Sequence, residues 1–274
     1  MGESVVGGRS VAWPDMGRGA RIWLTIYVSV AMVDLIAETA HLFWVALAAL
    51  IVALPALGGV LVTSRPRDRL RHWVLAALFF GWLGDWLGDL LVPHIAWKIG
   101  FFFLGHVCFM VAFWPYRSRS VLDRPGLLAC YALGVTALLA WVVPSAGWLY
   151  GSALVAYGLT LGVMAVLATG LGPTATVGGI VFIISDMSIA ITSFVYPGRL
   201  EHAELLIMST YLVAQLLLVL GVIDAPDPPS RTGPPSRTDP LSRTDPLSAP
   251  THCPAPPRRP IAPPLSPRTE RPRS

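Results

Sequence analysis

Residues 126–167 read GLLACYALGVTALLAWVVPSAGWLYGSALVAYGLTLGVMAVL and contain no charged side chain. About 20 helical residues cross the roughly 30 Å of hydrocarbon in a bilayer, so this stretch is long enough for two crossings. Pro144 interrupts it near the middle, where a proline typically ends a helix. The stretch therefore predicts two transmembrane helices, at 126–143 and 148–167.

The chain keeps this apolar character on both sides of that stretch. Its 274 residues are 54% hydrophobic and only 13% charged, with a mean hydropathy of +0.61, whereas soluble domains carry about 25% charged residues. This composition excludes a soluble globular protein and predicts an all-α, polytopic membrane protein with eight transmembrane helices. The six further spans are 22–39, 42–62, 73–92, 95–116, 175–195 and 203–223.

The positive residues alternate from one connection to the next. Three arginines lie in the arm formed by residues 1–21, four lie between the second and third spans, and three lie between the fourth and fifth. The opposite connections hold only Lys98 and Arg199. Because cytoplasmic connections are enriched in Lys and Arg, we predict that both termini of the membrane domain, residues 22–223, are cytoplasmic. The abundance of proline, arginine and alanine favours the plasma membrane of a bacterium.

Residues 224–274 differ sharply in composition from the rest of the chain. They contain 16 of the 25 prolines and a repeated six-residue unit beginning at Pro228. Such a segment buries too little apolar surface to offset the entropy lost on ordering. We predict a disordered tail that takes no part in chemistry, the alternative being a proline-rich docking site.

Several classes of site lack their signatures in this sequence. The three cysteines form no CxxC pair or metal-spaced cluster with histidine, and the motifs HExxH, GxSxG, GxxxxGK[ST] and GxGxxG are missing. The arginines define no basic helix face, and the arm at residues 1–21 has no apolar core of its own. We therefore expect no metal, cofactor or nucleic-acid partner, and we expect the first span to serve as the insertion signal.

Several carboxylate side chains lie within the predicted membrane spans. Asp85 and Asp89 are one helical turn apart on the third span, and Asp186 follows Ser185 in an otherwise apolar seventh span. A charge at that depth costs at least about 2.5 kcal/mol, so each acid calls for a function or a partner. Two neighbouring carboxylates do not easily ionise together. The small residues beside Asp85 are also explained by close packing between helices. The Ser185 hydroxyl is also explained by a hydrogen bond within its own helix.

Other polar groups share the depth of these aspartates. His106 lies mid-span on the fourth helix and Tyr157 on the sixth, while Tyr211 and Gln215 lie one turn apart on the eighth. Taken singly, a histidine here is more often structural and a tyrosine more often an interfacial anchor. Asp34 and Glu38, near the end of the first span, are typical of an interfacial polar cap.

The arrangement of these residues resembles the YhhN-like lysoplasmalogenase family of polytopic membrane proteins, over residues 22–223. That family has eight helices, in agreement with the count made from hydropathy. Three positions depart from its pattern: Leu54 replaces a frequent lysine, Phe109 replaces a tyrosine, and Asp89 is additional. The matching residues are Gly84, Asp85, Gly100, Phe103, His106, Tyr157, Met164, Gly179, Phe182, Ser185, Asp186, Ala190, Tyr211, Ala214 and Gln215.

The resemblance implies hydrolysis of the vinyl ether of a lysoplasmalogen, a lysophospholipid, to a fatty aldehyde and a glycerophospho-base. Protonation of the vinyl ether gives an oxocarbenium ion that water captures. Two carboxyl groups suit this reaction, one as the acid and the other to stabilise the cation or activate the water. We expect Asp85 and Asp186 to face each other across a cavity as the catalytic pair, with their individual roles open. The side chains expected to bind substrate are His106, Tyr157, Ser185, Tyr211, Gln215 and Asp89.

Two other functions fit the same intramembrane acids. A proton-coupled transporter would use them as a relay and would show inverted repeats, of which the sequence gives no clear sign. A non-enzymatic lipid-binding protein would keep the cavity and tolerate loss of the acids. The true lipid and the oligomeric state are left open by the sequence.

Overall fold

A computed structural model describes residues 16–65, 68–90, 95–199 and 203–226, and all regular structure within these ranges is helical. This confirms the all-α prediction. Most of the predicted arm and nearly all of the predicted tail lie outside the described residues. The helices are α1 (Arg18–Thr39), α2 (Phe43–Ser64), α3 (Arg69–Leu90), α4 (Ile95–Phe113), α5 (Pro125–Ala168), α6 (Pro173–Ala190) and α7 (Ala203–Ile223). Short 3₁₀ segments at Trp114–Arg119 and Val121–Asp123 follow α4, and a π-helical turn at Ile191–Val195 extends α6.

The helices have the length and composition of membrane spans. Within the described ranges, six helical segments are long and apolar enough to cross a bilayer, and α3, which carries two aspartates and two arginines, is not among them. Large apolar side chains point outward from the bundle, including Trp148, which is 86% exposed, and Leu133, which is 72% exposed. An outward apolar surface of this kind is stable only in lipid, so the polytopic membrane prediction is confirmed.

The chain reverses direction within α5 at Gly147. Its φ of 70° and ψ of 174° are not helical, and this φ lies in the left-handed region that glycine tolerates. The two arms, 125–146 and 148–168, run antiparallel, because Gly158 lies against Leu139 and Gly162 lies against Val135. The turn falls within the predicted connection, residues 144–147, but Gly147 makes it; α5 passes through Pro144 itself, as membrane helices often do.

Consecutive helices pack against one another along the chain, and α7 closes the bundle by contacting α1, α2 and α3. One apolar core joins all these helices, with fully buried side chains such as Leu57, Phe109, Met164 and Leu218. Because α4, α6 and α7 converge in this core, polar side chains on those three helices are brought together away from lipid.

One buried arginine joins two helix ends. Arg65, just after α2, donates from Nη1 to the carbonyl oxygens of Val222 at 2.6 Å and Ala225 at 3.3 Å, and from Nε to Asp68 at 2.9 Å. These bonds satisfy carbonyls that a helix end leaves unpaired. The end of α7 therefore lies beside the arginine-rich connection between α2 and α3.

The contact between α6 and α7 depends on small residues. A Cβ atom added at Gly221 would lie 2.6 Å from Cβ and 2.7 Å from the backbone nitrogen of Ala175. Backbone atoms cannot yield as a flexible side chain can, so we expect Gly221→Ala to lower the free energy of unfolding by about 1–3 kcal/mol. Thermal unfolding in detergent measures this effect. Gly134→Ala, where the added atom meets nothing within 4 Å, should leave the Tm unchanged or higher, and equal losses in both variants would contradict the packing argument.

Candidate active site

A buried cluster is centred on Asp186. The Tyr157 hydroxyl donates a 2.6 Å hydrogen bond to Asp186 Oδ2, and His106 Nε2 lies 3.4 Å from the same oxygen. Asp186 Oδ1 is buried and has no hydrogen-bond partner among the described residues. The carboxyl group is thus oriented through one oxygen and has its second oxygen available for a ligand.

Asp85 belongs to a second buried cluster. The Tyr211 hydroxyl donates to Asp85 Oδ2 at 3.0 Å, and Tyr211 Oη and Gln215 Nε2 both lie within 3.5 Å of the Cβ position of Gly81. Gly81, one turn before Asp85, lets this group approach, since a Cβ there would lie 3.1 Å from Tyr211 Oη. The small residue beside the acid therefore makes room for its partners.

Aromatic rings lie between the two clusters. Phe182 packs edge to face against both His106, with ring centroids 4.9 Å apart, and Tyr211, at 5.7 Å. Phe102 packs in the same way against Tyr211, at 5.6 Å. These contacts fix the rings of both polar clusters and keep the space between them apolar.

An apolar cavity of about 60 Å³ opens beside Asp186. Its lining includes Asp186 and Tyr157, the ring of Phe102, aliphatic side chains from α4, both arms of α5 and α6, and Lys98. A water molecule occupies about 30 Å³ in the liquid, so the cavity has room for water beside the carboxyl group. Its walls suit a hydrocarbon chain, with the polar groups gathered at one place.

The two aspartates do not line this cavity together. Asp186 is part of its lining, whereas Asp85 is not; Asp85 connects to the cavity wall through Tyr211 and the ring of Phe102. The expectation that the two carboxylates face each other across one cavity therefore differs from the structure. The difference arises because bulky rings on α4 and α6 fill the space between them.

The remaining predicted residues are in different positions. The Ser185 hydroxyl donates to the carbonyl oxygen of Ile207 at 3.1 Å and joins α6 to α7, so it is used in helix packing. Asp89 falls in the last turn of α3, and its side chain lies outside the part of the chain that the structure describes. A role for either residue in binding substrate stays a prediction.

Two neighbours of the site were not identified from the sequence. Tyr27 on α1 is buried and donates to the carbonyl oxygen of Leu212 at 2.7 Å, beside Tyr211. Lys98 was counted only for the orientation of the spans, yet it lines the cavity. The isolated cation near the start of an apolar span was the signal for Lys98, whereas nothing local marked Tyr27.

The acids on α1 lie apart from these clusters. Asp34 is buried, whereas Glu38 lines a separate polar cavity of about 330 Å³ together with His41 and Glu204. The position of Glu38 agrees with an interfacial cap, whereas Asp34 is buried in the bundle and differs from that prediction. Within the described residues, no group of three His, Cys, Asp or Glu side chains is arranged to hold a metal ion.

Comparison with known proteins identifies the family of this chain. Residues 39–222 match the model of the YhhN family. The chain belongs to the YhhN family. The match includes Asp85, Asp186 and the cavity residues, whereas Tyr27, Asp34 and Glu38 precede it. No solved structure matches this chain.

Curated relatives of this YhhN protein carry an enzyme name. Rat lysoplasmalogenase TMEM86B is 36% identical over 127 residues, which cover 46% of this chain and 54% of the rat protein. A lysoplasmalogenase of Mycobacterium tuberculosis is 30% identical over 172 residues, or 58% of this chain and 63% of the relative. Human TMEM86B is 32% identical over 187 residues, or 66% and 77%. The chain thus spans just over half the length of the rat protein.

Proposed function

We propose that this YhhN-family protein hydrolyses the vinyl ether bond of a lysoplasmalogen within the membrane. The observation that carries the proposal is Asp186: a buried carboxyl group, held by Tyr157 and His106, on the wall of an apolar cavity with room for water. The names of the curated relatives support the reaction and the substrate class. An apolar cavity is also the environment that an alkenyl chain requires.

The first step is transfer of a proton from Asp186 to the alkenyl carbon that is not bonded to oxygen. The neutral form is assigned to Asp186 because its carboxyl group lies on an apolar wall, where an isolated charge is costly. Asp85 does not lie on that wall, accepts a hydrogen bond from Tyr211 and makes a further interaction, so it is assigned the charged form. Since Tyr157 donates to Oδ2, the proton is assigned to Oδ1, which has no partner among the described residues. The C=C π electrons form the new C–H bond, and the adjacent carbon and ether oxygen share the positive charge as an oxocarbenium ion.

The second step is capture of that ion by water. Water attacks the carbon bonded to the ether oxygen and returns a proton to the Asp186 carboxylate, which restores the acid and leaves a hemiacetal. Collapse of the hemiacetal breaks the carbon–oxygen bond and releases the aldehyde and the glycerophospho-alcohol. His106, 3.4 Å from Asp186 Oδ2, orients the water.

Asp85 is proposed to stabilise the developing cation without touching it. It lies behind Tyr211 and Phe102, where few mobile waters can screen its charge and electrostatic effects are strong. Tyr211 holds the carboxylate in one orientation through its hydrogen bond. This assigns the acid to Asp186 and the electrostatic role to Asp85.

The same proposal includes eight membrane crossings with both termini cytoplasmic. α3 supplies one crossing and the antiparallel arms of α5 supply two. The Arg65 bonds to Val222 and Ala225 support this arrangement, because they place the end of α7 beside the arginine-rich connection. Labelling of single cysteines introduced at residue 68 and at the exposed Ser145 from opposite sides of intact vesicles tests it, and labelling of both from the same side would contradict it.

Aldehyde release is the direct test of the activity. Detergent-purified protein is incubated with an alkenyl-lysophospholipid, and the aldehyde is quantified by coupled reduction. We expect turnover with this substrate and none with the saturated 1-O-alkyl analogue, which has no vinyl ether to protonate. Saturable binding of both lipids without any aldehyde would instead favour a lipid-binding or transport function.

Tyr157→Phe should lower kcat by about 10-fold with little change in KM. The substitution removes the donor to Asp186 Oδ2 but keeps the ring that packs against His106 at a centroid distance of 5.2 Å, so the acid loses orientation while the cavity keeps its shape. Tyr131→Phe on the other arm of α5 is the matched control and should keep full activity. An unchanged kcat in Tyr157→Phe would remove this tyrosine from the mechanism.

A further inference from the structure

Lys98 is the only cationic residue among the described residues that line the cavity. It lies in the first turn of α4 and is half-buried. The lining around it includes Ile95, Ile99 and Phe194, which are apolar, and the carboxyl group of Asp186 lines the same cavity. The cavity therefore contains an acid and a cation within a largely hydrocarbon surface.

Lys98 already makes an interaction within the protein, and its three ammonium protons allow a further contact. Lysine side chains near helix ends usually extend along apolar surface and place the ammonium at the membrane interface. An anchor of that kind needs only the lipid-facing side of its helix, whereas Lys98 lies on the side that forms the cavity. Its position thus favours contact with whatever enters the cavity.

The spacing along α4 matches the proposed substrate. Lys98 and His106, which contacts Asp186, are eight residues apart, a rise of about 12 Å. In an extended lysoplasmalogen the phosphorus atom and the carbon to be protonated are separated by roughly 9 Å, and a polar contact of about 3 Å at each end raises the span to about 15 Å. The flexible four-carbon stem of the lysine side chain covers the difference from the rise of about 12 Å. A lysophospholipid can therefore place its phosphate near Lys98 and its alkenyl carbon beside Asp186.

We propose that Lys98 binds the phosphodiester of the lysophospholipid and so increases the affinity of the cavity for alkenyl lipids that carry a phosphate. This inference rests on the proposed function, which supplies the reaction, and adds a specificity-determining contact to it. A lysine recognises phosphate as a point charge, so ethanolamine and choline head groups should be accepted alike. The Lys98 contact instead discriminates against neutral alkenyl lipids, which carry no phosphate.

The experiment compares two substrates of the purified full-length protein. One is an alkenyl-lysophosphatidylethanolamine, and the other is the matching 1-O-alkenylglycerol, which has the same vinyl ether and no phosphate. We expect Lys98→Gln to raise KM for the phospholipid by about 10-fold with kcat largely kept, which is the pattern for loss of uniform binding. KM for the alkenylglycerol should not change, and Lys98→Arg should restore most of the affinity for the phospholipid.

Arg199→Gln is the matched control, because Arg199 belongs to another connection predicted on the same side of the membrane and is exposed. If it raises KM as much as Lys98→Gln does, the effect is general surface charge and the proposal is overturned. Equal losses with both substrates in Lys98→Gln would also overturn it, since a phosphate contact cannot affect a lipid without phosphate.

A binding measurement separates this inference from the reaction itself. The saturated 1-O-alkyl-lysophosphatidylethanolamine is not hydrolysed, and its Kd can be measured even if no aldehyde is ever produced. A roughly 10-fold weaker Kd in Lys98→Gln alone supports the phosphate contact in that case, although the proposed hydrolysis fails. An unchanged Kd overturns the contact while leaving the hydrolase proposal intact.

Discussion

Replacing Asp186 with asparagine is expected to reduce aldehyde release by at least about 100-fold, the scale on which a positioned general acid contributes. The amide has nearly the same shape and can still accept the hydrogen bond from Tyr157, but it has no proton to give to an alkenyl carbon. The loss should therefore appear in kcat, while the Kd for the saturated ether analogue changes little. Coupled aldehyde reduction measures the first quantity and equilibrium binding measures the second.

The matched control for this substitution is Asp34→Asn. Asp34 is also a buried intramembrane aspartate with an oxygen that lacks a partner among the described residues, but it lies on α1 and does not line the cavity. We expect it to keep wild-type kcat. A folded Asp186→Asn protein with undiminished turnover would remove the acid from the proposed mechanism.

Asp85→Asn should give the second large effect, a fall in kcat of about 100-fold, in the range that preorganised charges contribute to a transition state. The asparagine oxygen can still accept from Tyr211, so the aromatic packing is kept and only the negative charge is lost. Measured Tm values for the variant and the wild type should therefore agree within a few degrees.

A double-mutant cycle with Tyr211→Phe refines this test. If Tyr211 acts by orienting Asp85 through the 3.0 Å hydrogen bond, its substitution should cost much less once Asp85 is already asparagine. Strict additivity of the two losses would show that Tyr211 acts independently of Asp85. Full activity in Asp85→Asn would confine the chemistry to the Asp186 cluster.

The sequence predicted the helical fold well because lipid imposes a simple rule. A long apolar run must be a helix in order to pair its own backbone groups, so residues 126–167 indicated two antiparallel crossings before their contacts were known. The turn lies within the predicted connection at residues 144–147, but Pro144 does not make it, because proline interrupts membrane helices less strictly than soluble ones. Gly147, which turns the chain, is ordinary in sequence and is recognised only by its backbone angles.

Several residues of the candidate site could be selected from the sequence, but the contacts between them could not be predicted. Asp85, His106 and Asp186 could be selected one by one, because a polar group within an apolar span is costly enough to be noticed in the sequence before its partners are known. Which groups touch depends on how α3, α4, α6 and α7 rotate against one another, and Phe102 and Phe182 decide this by filling the space between the acids. Apolar rings are common in membrane spans, so these two did not stand out.

The glycine turn in α5 also bears on how the protein is made. The arms on either side of Gly147 carry no charge, so neither arm contains a signal for its own orientation in the membrane. The arginines that precede α5 must therefore set the orientation of both arms. The hairpin is therefore expected to leave the translocon as a unit. A bulky residue at position 147, where φ is positive, would favour one straight rod more than twice as long as the bilayer is thick. Such a substitution would then lower the amount of correctly inserted protein, because misinserted chains are removed by quality-control proteases. Molecules that do fold correctly would keep an intact cavity.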